Sequence, residues 1–82
     1  MFNIGLKRFG GSVSAEFHRD QALAWFAKAN AEAKKGNKKK WLDAYQEGAK
    51  HKWGAEQFSL KPAHRQALDV ASKNCGNSGQ NL

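Results

Sequence analysis

Residues 27–50 read AKANAEAKKGNKKKWLDAYQEGAK. The dipeptide Gly36-Asn37 splits this stretch into two segments of helical period, and that split decides the fold. Glycine just past a run of good helix formers is a C-terminal stop, and asparagine is a favoured first cap of a following helix. So short a link makes the two helices antiparallel neighbours or sets them at a sharp corner. Five lysines flank the break: Lys34, Lys35, Lys38, Lys39 and Lys40. No acidic residue interrupts them.

Upstream, the spacing predicts a helix over about Ser14 to Lys35. Ser12 or Ser14 can cap it, and Glu16 and Asp20 suit its positive end. At 100° per residue Ala15, His18, Ala22, Trp25, Phe26, Ala29 and Ala33 share one face. Most of that face is alanine, which lets a second helix come close. Downstream, a helix over about Lys38 to Trp53 carries an apolar stripe of Trp41, Leu42, Tyr45, Ala49 and Trp53, with Asp43, Glu47 and Lys50 opposite. Gly48 beside that stripe costs helix propensity and signals close packing. Gly54 is read as its stop. A third helix starts at Pro62, a favourable first-turn residue, and runs to about Asn74, with Gly76 as terminator. Leu60, Ala63, Ala67, Leu68, Val70, Ala71 and Cys75 make its apolar side.

The two ends differ from this core. Phe2, Ile4 and Leu6 alternate with Asn3, Gly5 and Lys7 ahead of the joint Gly10-Gly11-Ser12, a period of two without a second strand to pair with. Phe2, Ile4, Leu6 and Phe9 therefore read as an arm that docks on a partner subunit or folds back on the chain's own core. Residues 77–82 read as a loose polar tail. The expected architecture is all-α: an N-terminal arm (1–12), a compact three-helix domain (13–76), built as an αα-hairpin plus a third helix, and a tail (77–82).

Size and charge bound the function. An 82-residue chain has room for one modest core. Its single cysteine excludes an internal disulfide, and its Cys/His spacing suggests no structural zinc. A formal charge of +7 draws the chain to nucleic acid or an acidic protein surface, although charge can also serve solubility alone. A membrane surface fits less well, because the helical stripes are needed for a core. The start lacks a secretory pattern, and with the lone cysteine this points to an intracellular location.

Motifs of catalysis are lacking. His18, His51 and His64 are scattered along the chain, Cys75 reads as a small core residue, and no phosphate loop or nucleophile elbow occurs. The expectation is a non-enzymatic protein without cofactor. Its anion site would consist of Lys34, Lys35, Asn37, Lys38, Lys39 and Lys40. Lys38, Lys39 and Lys40 open a helix, where the macrodipole disfavours cations by about a few tenths of a kcal/mol each, and a bound phosphate would reverse that sign. The competing expectation is a structural or adaptor subunit of a larger assembly, such as a viral particle, or a small inhibitor of another protein. In that reading residues 1–11 make the homo- or hetero-oligomeric contact.

Overall fold

The computed structural model describes residues 12–58, 60–80 and 82. The apolar arm of Phe2, Ile4, Leu6 and Phe9 lies outside the described residues. Three helices follow in order: α1 (Ser12–Lys34), α2 (Lys38–Glu56) and α3 (Pro62–Gly79). Among the described residues there is no strand, as an all-α three-helix domain requires. The turn between α1 and α2 is built as its residues dictate. Gly36 has φ +78°, a conformation that costs other residues about 1–2 kcal/mol. The amide of Asn37 reaches back to the carbonyl of Glu32 at 3.0 Å and closes α1.

Arg19 meets His64 near the starts of α1 and α3, and Trp41, at the start of α2, meets Cys75 late in α3. The helices therefore run up, down and up. The contact between α1 and α2 is the most extensive. It is closely packed because its core is mostly alanine: Ala15, Ala22, Ala29, Ala44 and Ala55 are buried, and among the described residues the largest side chains buried completely are Phe26, Leu68 and Cys75.

One aromatic row links all three helices. Phe26 of α1 lies against Gly48 of α2, so close that a Cβ at Gly48 would stand 2.6 Å from its ring. Tyr45 packs beside Phe26 and stacks on Trp41, with ring centres 5.3 Å apart and planes 11° from parallel. Trp41 donates its indole N–H to the carbonyl of Cys75 at 3.1 Å and covers Gly79 so closely that no side chain fits there. Close packing at Gly48, expected from the sequence, is borne out.

Seating Gly48 under Phe26 fixes the rotation of α2, and this corrects the expected stripe. At about 100° per residue, Leu42, Ala49 and Trp53 lie well round the helix from Gly48. Accordingly Leu42 and Ala49 are exposed and Trp53 is 66% exposed, while Ala44 and Ala55 take the buried positions. Trp41 and Tyr45 do face the core. On α3 the buried line is Leu68, Cys75 and Gly79; Ala63, Ala67 and Val70 face outward instead. A shallow groove lined by Leu23, Ala27 and Asn30 of α1 and Ala67 and Val70 of α3 separates those two helices.

Two expected stops are also corrected. Gly54 is inside α2, under the ring of His18, and α2 continues to Glu56. Gly76 is inside α3, next to the Tyr45 hydroxyl, and the helix continues to Gly79, so residues 77–79 of the expected tail are helical. Their last turn is tied by Ser78 Oγ donating to the Asn74 carbonyl at 3.0 Å. These glycines make room for neighbouring rings and do not end helices.

Ion pairs join the helix surfaces. Lys52 donates to Glu56 at 2.8 Å and reaches Asp69 of α3 at 3.3 Å; the hydrogen bond to Glu56 is the main reason its pKa is raised. These pairs are partly exposed and contribute modestly.

Replacing Gly48 or Gly79 by alanine tests the row. Overpacking costs about 1–3 kcal/mol, against about 1 kcal/mol gained in helix propensity. Both variants should unfold at lower denaturant, with Gly79→Ala the worse because Trp41 must leave its place. Gly36→Ala, with open space around it, should lose about 1 kcal/mol through backbone strain alone. A Gly48→Ala protein as stable as the parent would show that Phe26 has room to move.

Candidate anion-binding corner

The end of α1, the turn and the first turn of α2 form one exposed corner. Lys34, Lys35, Asn37, Lys38, Lys39 and Lys40 are all exposed there, so the structure brings together the six residues singled out in the sequence. The charges are unequally engaged. Lys35 reaches Glu32 at 3.9 Å. Lys34, Lys38, Lys39 and Lys40 have no ion pair or hydrogen bond from their side chains among the described residues.

Asn37 occupies the cap position of α2 but does not cap with its side chain. Its amide nitrogen donates instead to Glu32 Oε1 at 3.3 Å. The first turn of α2 therefore has neither a side-chain cap nor an acidic residue. Its leading N–H groups point outward beside three ammonium groups, the arrangement that favours an anion at a helix start.

A cleft of about 460 Å³ adjoins the corner, lined by Trp25, Lys28, Glu32, Lys40, Asp43 and Glu47 among others. Lys40 borders both the corner and this cleft. Lys28 lies over the Trp25 ring, 5.0 Å from its centre, a cation–π contact on an indole that also packs against the core. The carboxylates of Glu32, Asp43 and Glu47 make the cleft mixed in charge. At the corner itself five exposed lysines face the one carboxylate of Glu32 among the described residues.

At the opposite end of the α1/α2 pair, the structure joins two histidines that look scattered in the sequence. His18 Nδ1 and His51 Nδ1 are 3.0 Å apart. They stand at similar distances either side of Gly36, which is the one signal an antiparallel hairpin offers for such a pairing. The face of Phe58 stacks on His18 and the edge of Phe17 meets both rings. His64 is elsewhere, its Nε2 2.8 Å from Arg19 Nη1, which donates to it. Burial pushes the His51 pKa below its ordinary value, and the neighbouring His18 adds to that; Glu47 opposes and Lys50 reinforces it. Cys75 is fully buried, and burial pushes its thiol pKa up. No set of three or more metal-ligating side chains occurs among the described residues, and no helix among them is long and apolar enough to cross a membrane.

The sign of the His51 effect is fixed. The folded chain resists protonating His51, whereas the unfolded chain takes the proton near its ordinary value of 6.5. This group therefore costs no stability well above pH 6.5; the cost grows as pH falls from there towards the lowered folded value and is constant below it. Denaturation midpoints should drop between pH 7 and pH 5, and His51→Gln should flatten that drop. An equally steep profile in the variant would assign the effect elsewhere.

No protein family, curated protein or solved structure matches this chain.

Proposed function

We propose that the protein is a non-enzymatic binding protein whose lysine corner engages an anionic partner, most simply the phosphate backbone of nucleic acid. The observation that carries this reading is the start of α2. Lys38, Lys39 and Lys40 stand exposed and, among the described residues, without ion pairs, over a helix end that no side chain caps. A fold gains nothing from this arrangement by itself, because the cations oppose the helix dipole. A phosphate at the corner turns each of those unfavourable terms into a favourable one. Lys34 and Lys35 extend the same field to the end of α1, where cations suit the dipole.

A second reading has its own observation. Trp53, Phe17, Leu42 and Val70 are large apolar side chains left 41–66% exposed. The groove between α1 and α3 also holds the buried side-chain oxygen of Asn30, which has no hydrogen-bond partner among the described residues. Exposed apolar side chains of this kind support an adaptor or assembly subunit that covers some of them with another protein, with residues 1–11 as the docking arm. A molecular mass that rises with concentration and stops rising on deletion of residues 1–11 is the outcome this second reading requires.

The nucleic-acid reading is tested with Lys38, Lys39 and Lys40 all changed to glutamine. For every lysine that no longer neutralises a phosphate, the slope of log affinity against log salt should become shallower by about 0.9 on duplex DNA, so about 2.7 for all three. The same variant should be slightly more stable than the parent, since three unfavourable dipole terms disappear. An unchanged salt slope would sink the proposal, and the stability measurement guards against mistaking unfolding for weakened phosphate binding.

A further inference from the structure

The meeting of His18 and His51 is a second site, independent of the lysine corner. Metal–imidazole bonds are about 2.0–2.1 Å long. Two such bonds at a right angle set their nitrogens about 2.9 Å apart, and at the tetrahedral angle about 3.3 Å. The two Nδ1 atoms stand 3.0 Å apart, a spacing suited to neighbouring positions of a square-planar or tetragonal ion, the geometry Cu²⁺ and Ni²⁺ prefer. We propose that His18 and His51 form a bidentate site for a tetragonal divalent ion of the Cu²⁺ type, bridging the start of α1 to the last part of α2.

The surroundings fit that role. Phe58 and Phe17 pack on the rings, and His18 sits over Gly54 at ordinary contact distance, so the two imidazoles are held in place before an ion arrives. A cleft lined by His18, Glu47, Lys50, His51, Trp53 and Gly54 opens beside them and gives water access to the remaining coordination positions. Glu47, one helical turn before His51, brings a carboxylate to the same cleft and pairs with Lys50 at 3.1 Å, which offsets the local cation. With no third ligand in place among the described residues, the other positions belong to water.

The protons balance simply. In the metal-free neutral pair one Nδ1–H donates to the other Nδ1. Coordination needs lone pairs on both, so the donating ring moves its proton from Nδ1 to Nε2. No net proton is released from the neutral pair. At lower pH protons compete with the ion.

The test is a titration of the intact chain with Cu²⁺ in the presence of a weak competing chelator, read by electron paramagnetic resonance and by quenching of Trp53, which borders the cleft. The expected result is one ion per chain with two coordinated imidazole nitrogens, a thermal midpoint that rises with Cu²⁺, and affinity at least tenfold weaker in His18→Gln and in His51→Gln but unchanged in His64→Gln. Should either glutamine variant fold poorly, substoichiometric Cu²⁺ on the unaltered protein still decides the matter. It must broaden the imidazole resonances of His18 and His51 before those of His64. Undiminished binding in both glutamine variants, as from the terminal amine or His64, overturns the proposal; so does broadening that begins at His64.

Discussion

The contact of Phe26 with Gly48 is the constraint on which the rest of the fold depends. A full aromatic ring set against bare backbone allows α1 and α2 to approach across a surface of alanines, and it fixes how far α2 is turned about its axis. That rotation places Tyr45 and Trp41 where α3 can be gripped, through the Cys75 carbonyl and the flat side presented by Gly79. The same rotation leaves Trp53 and Leu42 outside. Several large apolar side chains stay outside, and here close approach of helices substitutes for bulk.

The turn was the most legible part of the sequence. Gly36 needs its positive φ, and the two helices beside it follow from period and propensity, as does the third from Pro62. The face of α1 could also be read, because Phe26 stands among alanines spaced for one side. The face of α2 could not. Hydropathy places Trp53 and Leu42 above Ala44 and Gly48, yet steric access decided in favour of the smaller residues. Gly54 and Gly76 mislead for a related reason: a glycine that ends a helix and one that admits a neighbouring ring are the same letter in isolation. Only the partner, His18 in one case and Tyr45 in the other, separates the two uses.

The two ends of the α1/α2 pair are chemically opposed. At the turn, four lysines lack carboxylate partners among the described residues, and Glu32 draws the Asn37 side chain away from capping duty. At the far end, two weak bases share a hydrogen bond among aromatic rings. The six corner residues were legible because they are contiguous and lie at a helix boundary. The histidine pair was not, since it depends on the register between two helices, and that register is set by the contact of Phe26 with Gly48 and not by the histidines themselves.

The burial of Cys75 has a consequence for how the molecule can be watched. The chain has one thiol, and it lies wholly inside, on the helix that Trp41 covers, with burial disfavouring its reactive thiolate. No other thiol competes with it for an alkylating reagent. Its labelling rate is thus a clock for the opening of α3 from the α1/α2 pair, readable in a mixture by mass alone.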